Sequence, residues 1–339
     1  MFVYKVFFSQ HFDGIVEVAD EVKVGQNFIV GIDSTRLNEG TKNFLSAIKP
    51  GGIIIYRQVN IENTEQLSTL IKDLQVFAKE TTGKPYFIFI DEEPAGATRL
   101  DLFEDFRNSK KINWDLFAKD IKKMSDIGIN VDLAPVADFT SIENSFISKR
   151  SPSRNIEDFI AFNTHFIELM KQQGISTTLK HFPGIGVSVT DPHEMVPYFD
   201  EGYPELEQSF KIFQEGIKAG AGFIMTNHAV YTSIDPKNSA SFSRDIMRIL
   251  REDLDFRGII ITDDVSSMPF ITNGQSSITD AGINAINAGN TMVLFSRKAR
   301  ETQKAFQAAV SLYKKDSGFK SLVDANYRLI SDYKTVQIR

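Results

Sequence analysis

Short apolar runs and longer amphipathic stretches take turns along almost the whole chain. The runs are NFIVGI (27–32), GIIIY (52–56), YFIFID (86–91), INVDLAPV (129–136), ISTTLKHF (175–182), GFIMTNH (222–228), GIIITDD (258–264) and TMVLF (291–295). Each is short and nearly continuous in its apolarity, the pattern of a strand covered on both faces. Between them, NTEQLSTLIKDLQVFAKE (63–80) opens on an Asn or Thr cap and places Leu67, Leu70, Ile71, Leu74 and Phe77 on one helical face. NIEDFIAFNTHFIELMKQQG (155–174) ends on a glycine, a residue suited to a helix C-cap. Helix-period segments also cover 114–126, 204–219, 243–254, 277–288 and 300–314.

Eight strands with intervening helices in a chain of 339 residues predict an α/β fold, a closed (β/α)8 TIM barrel. An open doubly wound sheet has the same alternation, so the polar residues have to choose. Asp91, Lys180 and His181, Asn227 and His228, and Asp263 stand at the C-terminal ends of different runs. In a barrel those ends converge on one mouth, where active sites are built. No low-complexity linker or shift in composition divides the chain, so a single domain over residues 1–339 is expected, with its core at about 24–315.

Composition narrows the chemistry. A formal charge of −6 argues against nucleic acid as the main partner. With no cysteine, disulfides, thiolate catalysis and Cys-ligated metals are excluded. The five histidines (His11, His165, His181, His193 and His228) form no H-x-H or H-x-x-x-H pair, so neither a metal nor an organic cofactor is expected. No run of roughly 18 apolar residues is present, hence no membrane-spanning helix. The N-terminal MFVYKVFF lacks a basic start and a small-residue cleavage site. A cytoplasmic monomer is expected, or an exported protein if a signal segment has been removed.

Four groups of residues carry candidate chemistry. Asp263 and Asp264 close the GIIIT run; adjacent side chains on a strand point oppositely, so one faces the mouth and the other packs sideways. An Asp there also serves as a helix N-cap. Lys180 and His181 offer donors that suit vicinal hydroxyls, although a Lys–carboxylate pair inside the barrel is the competing role. The PGIG that follows must turn, and it lacks the spacing of a phosphate loop. Asp191 and His193 lie on that loop. A carboxylate beside an imidazole stabilises the imidazolium and suits a general acid near neutral pH. Arg99, eight residues after Asp91, and Arg150 could hold oxygens bidentately. Trp114, in INWDLF, is expected to pack.

IDEEPAGATR, LAPVAD, KRS, KHFPGIG, TDPHEMVP, IMTNHAVY and GIIITDDVSSM follow one another as they do in glycoside hydrolase family 3. Over about Val24 to Phe295 the chain most resembles the family's single-domain bacterial branch, the β-N-acetylglucosaminidases of peptidoglycan recycling. The resemblance implies a retaining exo-acting enzyme on N-acetylglucosamine-containing glycans or muropeptides. Asp263 would be the nucleophile that forms a covalent glycosyl-enzyme intermediate. His193, supported by Asp191, would be acid and then base, in place of the second carboxylate most retaining glycosidases use. Asp91, Arg99, Arg150, Lys180 and His181 would hold the sugar. A phosphorylase on the same fold and a non-catalytic sugar-binding protein are the alternatives.

Two departures stand out. The family's D-Q-E-G-G-R-V-x-R reads Asp91-Glu92-Glu93-Pro94-Ala95-Gly96-Ala97-Thr98-Arg99, without the glycine pair and inner arginine. In the catalytic loop Ile185 replaces a second histidine, and Pro192 stands between Asp191 and His193, predicting a stiffer loop.

Overall fold

The computed structural model describes residues 18–103, 112–189, 195–200, 204–266 and 277–338. All eight predicted strands are present, shorter than the apolar runs that announced them: β1 Phe28–Gly31, β2 Gly52–Ile54, β3 Phe87–Ile90, β4 Val131–Asp132, β5 Ser176–Phe182, β6 Phe223–Thr226, β7 Ile259–Thr262 and β8 Val293–Phe295. They are parallel and pair in sequence order, with β8 returning to pair with β1. A parallel bridge between Ile261 and Met292 joins β7 to the entry of β8 and closes the barrel.

A main helix follows each strand: α1 Glu39–Ile48, α2 Thr64–Thr82, α3 Trp114–Ile127, α4 Ile156–Gln172, α5 Pro204–Ala219, α6 Arg244–Arg248, α7 Ile278–Ala288 and α8 Ala299–Lys315, with short helices also at Asp20–Gly25 before β1 and Arg57–Asn60 after β2. Several of their starts carry side-chain caps, including the Asn cap that the sequence suggests for α2. The Asn63 and Asn155 side chains accept from the Gln66 and Asp158 amides (both 2.9 Å), and Ser277 and Asp280 form a reciprocal capping box on α7. Trp114 packs on Phe117 and Phe162, as expected of it.

Strand alternation sorts the apolar residues into two shells. Val30, Ile53, Ile88 and Ile90 point out beneath the helices. Ile29, Ile54, Phe87, Phe89, Phe223 and Ile261 belong to the separate cluster that fills the barrel. The uppermost interior layer is Ile54, Leu133, Met225 and Leu294, one residue each from β2, the end of β4, β6 and β8. Layers drawn from alternate strands are how such barrels fill.

Several elements were not anticipated, the short helices Asp20–Gly25 and Arg57–Asn60 among them. A small outer sheet joins Tyr198–Phe199, Val230–Tyr231 and Asp235–Ser239. Helix α1 has only Thr41, Leu45 and Ile48 buried, too few for a strong periodic signal. A last helix, α9 (Ser317–Gln337), lies across the N-terminal end of the barrel, where Ile330 joins the interior cluster. Among the described residues no helix is long and apolar enough to cross a membrane.

Candidate active site

A cavity of about 710 Å³ opens at the C-terminal mouth of the barrel. Its floor is the uppermost apolar layer, and the strand ends supply its polar wall. Asp91, Arg99, Arg150, Lys180, His181 and Asp263 all line it. Asp191 and His193 lie outside the described residues, as does Pro192.

Asp91 follows β3 directly. Its Oδ1 accepts from Lys180 Nζ at 2.8 Å and its Oδ2 from Arg99 Nη2 at 2.9 Å. Lys180 also meets Glu93 at 2.8 Å, and Arg150 grips the same Glu93 through Nε (3.0 Å) and Nη2 (2.6 Å). Burial opposes the charge on Glu93, but Lys180 and Arg150 outweigh it and hold its carboxyl well below the usual range. Lys180 is likewise buried, which disfavours its charge, yet Asp91 and Glu93 raise its pKa. Four of the five residues expected to hold the sugar, Asp91, Arg99, Arg150 and Lys180, are therefore joined through Glu93 in a preassembled five-membered charge network, and His181 stands outside it. Glu93, its hub, was not among the residues singled out in the sequence. An acid after a strand looks the same in sequence whether it faces water or two buried cations.

The unusual DEEPAGATR segment forms around two carboxylates. Glu92 is fully buried and accepts from Thr98 Oγ1 (2.7 Å) and from the amides of Arg99 (2.8 Å), Leu100 (2.7 Å) and Leu102 (2.7 Å). Glu93 accepts from the Ala97 amide (2.8 Å). Gly96 stands where the family has its inner arginine. A Cβ there would fall on Glu93 Oε2 and lie 3.0 Å from Arg150 Cγ, so the Glu93–Arg150 pair fills the space a side chain would need. The Arg99 guanidinium stacks on Tyr56, 5.1 Å from the ring centroid.

Lys180 and His181 are consecutive, yet both line the cavity. The β5–β6 register shifts between Lys180, opposite Met225, and Phe182, opposite Thr226. His181 is the extra residue of this bulge, and bulges re-aim side chains beside active sites. The peptide between the two residues is cis. His181 Nδ1 lies 2.6 Å from Asp138 Oδ2. The following PGIG does turn: Gly184 has φ +129°, and Ile185 packs in the core among Phe182 and Ala229.

Past β7 both aspartates border the cavity, where one alone was expected to face it, but they differ in their partners. The Asp264 carboxylate is taken up by neighbours, accepting from Ser266 N (2.9 Å), Ser266 Oγ (2.7 Å), Ser296 N (3.1 Å) and the Ser296 hydroxyl. Asp263 also lines the cavity, and the Asp264 amide donates to its Oδ1 at 2.7 Å. Burial would raise the pKa of Asp263. The charges of His181 and His228, that amide and Lys180 outweigh it, so the carboxyl titrates below its ordinary value. His228 is buried, and burial lowers its pKa against the pull of Asp263 and Asp264. Among the described residues no group of three His, Cys, Asp or Glu could hold a metal ion. What remains is an ionised carboxylate facing a cluster of hydrogen-bonding groups across an open cavity, an arrangement suited to attack on an electrophilic carbon of a polyhydroxy compound.

The glycosyl hydrolase family 3 N terminal domain matches residues 19–330. The chain belongs to glycosyl hydrolase family 3. It is therefore a glycosidase by family, and its barrel is the family's catalytic fold. A β-hexosaminidase of Photobacterium profundum is 30% identical over 273 residues, covering 76% of this chain and 78% of that protein. A β-hexosaminidase of Haemophilus ducreyi is 28% identical over 288 residues, covering 78% and 80%. The crystal structure of a β-N-acetylhexosaminidase from Beutenbergia cavernae superposes with a TM-score of 0.84 at 28% identity, over 94% of this chain and 99% of that one.

Proposed function

We propose that this family 3 member is a single-domain, retaining exo-β-N-acetylhexosaminidase. It removes terminal non-reducing N-acetyl-β-D-hexosamine from muropeptides or related oligosaccharides. The observation that carries this is Asp263: a carboxylate kept ionised by its surroundings, at a barrel-strand end, facing the Asp91–Lys180–Arg150 network. The names of the relatives supply the N-acetylhexosamine.

Asp263 attacks the anomeric carbon while the bond to the aglycone oxygen breaks and His193, paired with Asp191, gives that oxygen its proton. His193 then takes a proton from water, whose oxygen attacks the same carbon and releases the Asp263 carboxylate. Asp91, Arg99, Arg150, Lys180 and His181 orient the sugar, and their prior pairing fixes their positions before it arrives.

Release of nitrophenol from an aryl β-N-acetylglucosaminide tests the reading. Turnover is expected in the parent, with roughly 10³-fold loss or more in Asp263→Asn. His193→Ala should accumulate a glycosyl adduct on the protein, seen by intact mass. Sugar 1-phosphate formed in phosphate buffer would assign a phosphorylase instead, and sugar binding without turnover a non-catalytic binding protein.

A further inference from the structure

Asp138, the last residue of LAPVAD, touches none of the charged network. It follows β4, where the pairing with β5 continues through a Val136–Lys180 bridge and an Ala137 amide bonded to the Lys180 carbonyl at 2.6 Å. Its side chain is fully shielded from solvent. Oδ1 accepts from the Ile185 amide at 2.9 Å, and Oδ2 accepts from the His181 amide at 3.1 Å as well as facing His181 Nδ1 at 2.6 Å. Among the described residues, the hydrogen bonds of this carboxylate thus run to the histidine and to the turn just after it.

A carboxylate only accepts, so the proton in the short contact belongs to His181 Nδ1. Two backbone amides hold the carboxylate in place, so it fixes both the rotation of the imidazole and which nitrogen is engaged. Nε2 is then the nitrogen left to the cavity His181 lines, on the side where the imidazole contributes to keeping Asp263 ionised. A histidine held by Nε2 instead would present Nδ1 and a different reach to a bound sugar.

We propose that Asp138 is a positioning residue of this site: it holds His181 by Nδ1–H, so that Nε2 is presented to the substrate beside Asp263. The inference rests on the glycosidase reading for its kinetic consequence, but not for the state of the imidazole. Asp138→Asn keeps the size of the side chain and replaces one acceptor oxygen by an NH2 group, which cannot accept from Nδ1–H without giving up a backbone amide. The analogous carboxylate beside a catalytic histidine shows why a nearly isosteric amide is harmful: it favours the wrong tautomer.

The experiment has two arms. In the ligand-free protein, 15N-edited imidazole spectra are expected to show His181 protonated at Nδ1, and Asp138→Asn to abolish that signal. This arm needs no turnover, so it decides the inference even if aryl N-acetylhexosaminides prove not to be substrates. In the kinetic arm Asp138→Asn should lower kcat by about 10²-fold or more. In a His181→Gln background the same change should cost less than about threefold, because the group it acts through is gone. A His181 protonated only at Nε2 in the parent, or an equal loss of kcat in both backgrounds, would overturn the proposal; the second result would mean Asp138 merely supports the fold.

Discussion

Single side chains at the mouth act through their neighbours, and this is where the sequence was least legible. Asp263 and Lys180 were recognisable because each ends an apolar run, which in a barrel places it at the mouth. Glu93 and Asp138 were not, because their meaning lies in partners 57 and 43 residues away. The titration of Asp263 offers a direct test of such coupling. A carboxyl whose pKa is lowered stays ionised as pH falls through the ordinary Asp range and takes up a proton only below it. If Asp263 is the nucleophile, the acid limb of kcat/KM should therefore lie below about pH 3.9. His181 is one of the groups that lower this pKa, so His181→Gln should move the limb upward whatever it does to the maximal rate. Rates measured after brief exposure to each pH, with recovery at neutral pH checked, would show this. A limb that stays put in the variant would mean that another group sets it.

At the scale of elements, strand existence and order were legible, whereas local irregularities were not. Eight apolar runs gave eight strands, but the bulge at His181 depends on β6 as the partner strand, and nothing within KHF marks it. The DEEPAGATR loop is a similar case. Against the family pattern it reads as a loss of two glycines and an arginine, whereas in the fold it is organised by buried carboxylates. Glu92 stands where the family has glutamine, and its two oxygens accept four bonds, three from backbone amides. Glu92→Gln, although it restores the family residue, should be harmful, because one acceptor becomes a donor facing other donors. A cost of about 2–3 kcal/mol in urea denaturation is expected. Faster hydrogen exchange at the Arg99, Leu100 and Leu102 amides and a raised KM should accompany it. Unchanged exchange at those amides would mean that this loop is held by something other than Glu92.

For the whole molecule, the barrel separates the end that reacts from the end that is sealed. The alternation of strand and helix announced the closed sheet, yet the seal went unread, since α9 buries only Phe319, Val323, Ile330 and Lys334 over 21 residues. Tyr333 on α9 enters the bottom of the barrel edge-on to Phe223 (5.3 Å) and Phe87 (6.0 Å), with its hydroxyl 3.0 Å from Ser176 Oγ. Lys334 beside it donates to Gln26 Oε1 and to the Gly51 carbonyl, both at 2.7 Å. The fit is close enough that Gly222, just before β6, has no space for a side chain: a Cβ would fall on the Tyr333 hydroxyl and lie 2.8 Å from Cζ. Gly222→Ala should therefore force the ring out and cost about 2–4 kcal/mol, the range of other overpacked or emptied core sites. Tyr333→Ala alone should cost a similar amount, since it empties the same place. Combined, the two should cost well under their sum, with a coupling of about 1.5 kcal/mol or more, because the methyl group now enters vacated space. Turnover per folded molecule should change little in any of the three, as the floor layer of Ile54, Leu133, Met225 and Leu294 stands between this seal and the cavity. Additive losses of stability would show that α9 does not seat on Gly222. A selective loss of turnover would show instead that the two ends of the barrel communicate through its filled interior.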